Sequence, residues 1–119
     1  MDGVKVVLGM AEGVDTREAD AEEKTRTLVA SLWIKSRPTI EARVELLERA
    51  SVADPLGDEL RAEAHSVAHK LAGSLGMFGF PEGTRVAREL ELRLEISGAD
   101  PAVLADLTKQ LREILFPAS

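Results

Sequence analysis

Apolar residues recur at helical spacing along most of the chain, and the stretches are separated by prolines and glycines. From Asp20 onward, Leu28, Val29, Leu32 and Trp33 form a stripe behind an acidic first turn, Glu22 and Glu23, which predicts a helix ending near Ser36. Pro38 is placed to end that helix and to open a second, since proline is tolerated at a first helical position. Ile40, Val44, Leu47 and Ala50 share one face of this second helix, which stops before Asp54-Pro55-Leu56-Gly57. A third helix is expected from Asp58 to about Phe78, with Leu60, Ala64, Val67, Leu71, Leu75 and Phe78 on one side. After the turn Gly79-Phe80-Pro81, Val86, Ala87, Leu90 and Leu94 mark the core face of a fourth helix that ends at Ser97-Gly98. Asp100-Pro101 supplies a capping residue and a first-turn proline for a fifth, whose Leu104, Leu107, Leu111 and Ile114 align before Phe116-Pro117.

Amphipathic helices with short connections and no convincing strand predict an all-α fold, an antiparallel four-helix bundle with an additional N-terminal capping helix. The bundle domain is expected over residues 20–119. Residues 1–19 hold three of the nine glycines and one short β-leaning run, Val4 to Leu8. They read either as a tail or as a strand-like arm that packs on the domain or on a partner.

Length and composition narrow the function. A chain of 119 residues is one domain by its size and buries a core without metal or disulfide support. It has no cysteine, which excludes a disulfide framework, a thiolate metal site and a cysteine nucleophile. Its apolar runs are too short for a membrane span and no leader precedes them, so a cytoplasmic protein without a membrane partner is expected. Fifteen Lys and Arg against 21 Asp and Glu give a formal charge of −6, which repels a phosphate backbone; nucleic acid is not an expected partner.

The polar face of the third helix is unusual. Within ~40° of His69 lie Ala62, His65, Gly73 and Gly76, so small side chains and one further imidazole surround it. Each glycine in a helix interior costs roughly 0.5–1 kcal/mol relative to alanine, an expense that folding does not explain. Close approach of another folded surface does explain it. Neutral imidazole is a competent nucleophile, as a residue that exchanges a group with a partner requires.

The run His69-Lys70-Leu71-Ala72-Gly73-Ser74 resembles the H-x-L-K-G-S signature of histidine-containing phosphotransfer domains. Gly79 stands where that family has a glycine between its two central helices, and Ala87-x-x-Leu90-Glu91 is similar to its A-x-x-L-E segment. The resemblance covers about Ala68 to Glu91 and implies a phosphorelay intermediate with no ATP site of its own. His69 would accept a phosphoryl group from a receiver-domain aspartyl phosphate or a sensor histidine kinase and relay it to a response regulator. Mg²⁺ is expected in the receiver and no cofactor in this chain.

Supporting roles are implied for Lys70, Gly73 and Glu91, and a docking face for His65, Ala72 and Gly76. Glu91 matches a position from which family members hydrogen-bond the unphosphorylated ring nitrogen; as an ordinary surface residue it would pair with Arg88 or Arg93 instead. The family's usual lysine three residues after the histidine is Ala72 here. Lys70 either replaces that cation from the side, ~100° around the helix, or is simply solvated. A helical adaptor that docks receivers without carrying phosphate is the alternative. A zinc site on His65 and His69 is a third reading and needs further ligands, with no other His or Cys in the chain.

Overall fold

The computed structural model describes the backbone of residues 2–118 and the side chains of residues 17–118. It contains helices α1 (Asp2–Val52), α2 (Asp58–Ser74), α3 (Pro81–Leu94) and α4 (Pro101–Leu115), with no strand among the described residues. The chain divides into two compact units, Met1–Ile34 and Lys35–Ser119. The second is the helical bundle.

The main departure from the sequence pattern is at Pro38, which lies inside α1 rather than between two helices. No separate capping helix forms over residues 20–36. Proline removes the hydrogen bond to the carbonyl four residues back, here that of Ile34. Ile34 is exposed, so water can take the place of the missing donor, and the helix continues. The β-leaning run Val4 to Leu8 is also helical backbone within α1. The choice between tail and packing arm for residues 1–19 turns on side chains that, up to residue 16, lie outside the described residues.

In the bundle, Ile40, Val44, Leu47 and Ala50 of α1 are buried as their spacing predicts, and so are Val86, Ala87, Leu90 and Leu94 of α3. In α4, Leu104, Leu107 and Leu111 are buried, with Leu115 rather than Ile114 completing the stripe. Asp100 caps this helix by accepting a hydrogen bond from the Ala102 N–H at 2.9 Å, with Pro101 following it. The Arg112 guanidinium ties α4 to α1 through a two-pronged pair with Glu48 at 2.7 and 2.8 Å. The Glu48 hydrogen bond, and the negative charges of Glu48, Glu41 and Glu45, hold the Arg112 pKa above its usual value against the opposing effect of burial.

The buried stripe of α2 is rotated from its expected position. Ala64, Leu71 and Leu75 are buried, but Ala68 and Ala72 join them, while Leu60, Val67 and Phe78 are only half-buried. The cause is α3, which packs closely against α2 and draws its small alanine side under cover. Ala72 therefore belongs to the core, at 8% exposure, and not to a docking face.

The regular part of α2 ends at Ser74, but the chain keeps turning to Phe78 through hydrogen bonds from Met77 N to Ser74 O and from Phe78 N to Leu75 O. Gly79 then takes φ 86°, and the bonds Phe80 N to Leu75 O and Gly79 N to Gly76 O complete a Schellman-type stop. A side chain at position 79 would be strained by that positive φ, which gives the glycine its reason.

Arg61 closes the opposite end of the α2–α3 pair. Its Nη1 donates to the carbonyls of Leu94 at 3.0 Å and Glu95 at 3.2 Å, placing a cation on the negative end of α3. Arg61→Ala is expected to cost about 1–2 kcal/mol in urea denaturation, the range of a charged hydrogen bond whose acceptors water can partly reach. Arg61→Lys should recover part of it.

Candidate functional site

Helices α2 and α3 run antiparallel, so a step back along one meets a step forward along the other. This register brings His69 to Glu91 and, one turn away, His65 to Glu95. The His69 Nδ1 lies 2.7 Å from Glu91 Oε2. A carboxylate can only accept here, so Nδ1 carries the hydrogen and donates it, which leaves the lone pair of neutral imidazole on Nε2. The His69 side chain is 72% exposed and that of Glu91 only 21%. The imidazole is thus presented to solvent by a partner that is itself held at the helix interface.

Glu91 does not pair with either arginine that could have claimed it. Arg93 donates to Glu89 at 3.0 Å, and Arg88 forms no ion pair among the described residues. The rotation of α2 explains why the histidine wins: once Ala68 and Ala72 are buried, His69 sits at the edge of the α3 interface instead of opposite the core.

Gly73 is exposed one turn beyond His69, and a Cβ placed on it would meet nothing within 4 Å. Its lack of a side chain is not an internal packing requirement. Gly76 differs. It lies beyond the regular helix, where a Cβ would make an ordinary 3.5 Å contact with Thr84 Oγ1, so helix propensity does not argue for it. Lys70 is exposed and makes no ion pair among the described residues; its backbone carbonyl accepts from the Ser74 hydroxyl at 3.0 Å.

His65 faces α3 rather than open solvent. Its Nε2 lies 4.0 Å from Glu95 Oε1, is buried, and has no hydrogen-bond partner. Sequence reasoning missed Glu95 and Arg61. Glu95 was findable in principle, because four residues before His69 on one helix must oppose four residues after Glu91 on its antiparallel neighbour. No group of three or more His, Cys, Asp or Glu among the described residues is arranged to hold a metal ion. No helix, among the described residues, is long and apolar enough to cross a membrane.

Comparisons with known proteins agree with this arrangement. The sequence profile of the Hpt domain family matches residues 31–115. Protein RcaC of Microchaete diplosiphon is 30% identical over 76 residues, covering 61% of this chain and 12% of RcaC. This chain therefore corresponds to a small part of that relative. No solved structure matches at a significant level. An all-α bundle, an exposed histidine oriented by a carboxylate, and a family match that spans the bundle lead to one conclusion: the chain belongs to the Hpt domain family, the histidine phosphotransfer modules of phosphorelay signalling.

Proposed function

We propose that this chain accepts a phosphoryl group on His69 Nε2 from a receiver-domain aspartyl phosphate, or from a sensor histidine kinase, and passes it to a response regulator. The observation that carries the proposal is the 2.7 Å contact between His69 Nδ1 and Glu91, which leaves Nε2 free and outward. In the forward step the Nε2 lone pair attacks phosphorus and the phosphorus–oxygen bond of the acyl phosphate breaks. Its electrons return to the donor's carboxylate. Nδ1 keeps its hydrogen, so the phosphorylated ring carries positive charge, which the Glu91 carboxylate offsets.

Transfer of this kind depends on in-line placement and charge neutralisation, and Mg²⁺ in the receiver would supply much of the latter. This chain's part is to hold the nucleophile and to admit the partner. It is not an enzyme in its own right on this reading. The open surface at Gly73 lets the receiver approach, and Lys70 stands on the flank from which a cation can reach the phosphoryl oxygens.

The test is direct. Incubated with phosphorylated receivers and Mg²⁺, the wild-type chain should gain one phosphoryl group by intact mass at neutral pH. Absence of label across a panel of competent receivers would favour the non-phosphorylated adaptor, for which the argument is that Ala72 stands where the family signature has lysine. Glu91→Ala should slow transfer about tenfold with unchanged thermal stability, and Glu91→Gln, which keeps an acceptor oxygen, should fall between. The effect stays well below the ~10⁴-fold found when the carboxylate of a buried serine-protease triad is replaced, because exposed His69 can hydrogen-bond water instead.

A further inference from the structure

Helix α1 runs through the unit Met1–Ile34, and no side chain of residues 17–34 is buried. Arg17 to Leu28 are exposed throughout, Leu28 to 60%, and Leu32 is 37% exposed. A helix in water gains most of its stability by burying an apolar face, and this stretch fully buries no residue of its own.

The spacing of its residues picks out the face that needs cover. Glu18, Ala21, Thr25, Leu28 and Leu32 follow one another at alternating steps of three and four. The same steps run back through the sequence to Val14, Ala11, Val7 and Val4, so the repeat holds for about four heptads. Gly3, Gly9 and Gly13 all fall between these positions. A strict seven-residue repeat with a narrow seam is the pattern of helices that wind around each other, whereas a helix lying on a globular core has a wider apolar face. The two polar members of the seam are compatible with it. Thr25 donates its hydroxyl to the Ala21 carbonyl at 2.9 Å, so its polar group is already satisfied where a partner helix would exclude water. Glu18 is flanked by Arg17, and in a pair of parallel helices each Glu18 would enter a hole bordered by Arg17 of the partner subunit.

The flanking charges decide the identity and direction of the partner. With Leu32 at an a position and Leu28 at d, Arg17 and Lys24 fall at g while Asp15 and Glu22 fall at e. In a parallel pair a g residue meets the e residue five further along the other strand, which sets Arg17 against Glu22 of the partner subunit, twice by symmetry. In an antiparallel pair g meets g and e meets e, so base would face base and acid would face acid. Within the chain, the ion pair that the described residues of this stretch form joins Arg26 to Glu23 at 3.1 Å, at positions outside the seam, and leaves Arg17 and Glu22 uncommitted.

We propose that residues 4–32 of α1 pair with the same segment of a second copy of this chain as a parallel, in-register coiled coil. The pairing draws on α1 alone and is independent of the phosphotransfer reading. Glu18 in the seam, with the small Ala11 and Ala21, makes it a weak and reversible dimer.

The experiment is sedimentation equilibrium of the full chain from ~5 to ~500 μM, over which the mean mass should rise from monomer toward dimer. Leu28→Glu/Leu32→Glu should raise the dissociation constant at least ~100-fold, with an unchanged urea midpoint for the bundle in dilute solution, where both proteins are monomers. Glu18→Leu should lower the constant about tenfold. The chain has no cysteine, so Thr25→Cys supplies a single thiol in the seam and Thr27→Cys one outside it. With oxidised glutathione the first should form the intermolecular disulfide roughly ten times faster than the second, because only facing a positions bring the two Cβ atoms within bonding range. A wild-type chain that stays monomeric throughout overturns the proposal. So does a dimer that survives Leu28→Glu/Leu32→Glu, which puts the contact on another surface, and so does equal crosslinking at positions 25 and 27, which denies the parallel register.

Discussion

Glutamine in place of His69 should leave the protein folded and remove all of its phosphoryl label. The side chain is 72% exposed and contributes no core packing, so the change belongs with surface substitutions that usually move stability within ±0.5 kcal/mol. The chemistry has no substitute. The other imidazole, His65, has its Nε2 buried and facing Glu95, so that nitrogen is closed to a phosphoryl donor. His65→Gln should accordingly keep full label. Intact mass after exposure to phosphorylated receiver and Mg²⁺ reads both variants, and label retained by the His69 variant would move the acceptor elsewhere.

Leu71→Ala should produce the largest loss of stability, about 2–5 kcal/mol, without touching the reacting atoms. Leu71 is fully buried, two residues from His69 on the opposite side of α2, and its removal leaves a cavity that rigid neighbours fill only in part. A loss of that size is a large share of the roughly 5–15 kcal/mol that holds a small domain together. Urea unfolding should show a lower midpoint with little change in slope. Below the unfolding transition, phosphotransfer should persist, because the Glu91 contact lies on the other edge of the helix. Loss of transfer in a folded Leu71→Ala protein would mean that the core positions the ring more tightly than the hydrogen bond does.

Much of the fold was legible because its determinants are local. Spacing alone placed the buried residues of α3, and Asp100-Pro101 announced the start of α4, since caps and prolines act over a few residues. Pro38 misled for a related reason: whether a proline ends a helix depends on whether its orphaned carbonyl can find water, and the exposure of Ile34 is not written in the neighbouring sequence. The rotation of α2 was equally hidden. Leu60 and Phe78 are apolar and periodic, yet the closeness of α3 made small Ala68 and Ala72 the better buried pair.

The site divides the same way. His69 and Gly73 could be read from one continuous motif, and Gly79 and Glu91 from resemblances beyond it. The contacts Glu95–His65 and Arg61–Leu94 join residues about thirty apart in sequence, and only the helix register reveals them. Ala72 was misplaced because its distance from His69 around the helix could be computed, whereas the position of the neighbouring helix could not.

The stop at Gly79 has a wider meaning than the ending of a helix. By closing α2 with a fixed number of residues before Pro81, it works as a gauge block that sets where α3 begins its antiparallel run. Sliding α3 by one position would move Glu91 by ~1.5 Å and swing it ~100° around its axis, out of reach of the imidazole. The tautomer of His69 is thus calibrated by the length of a turn ten residues away in the chain.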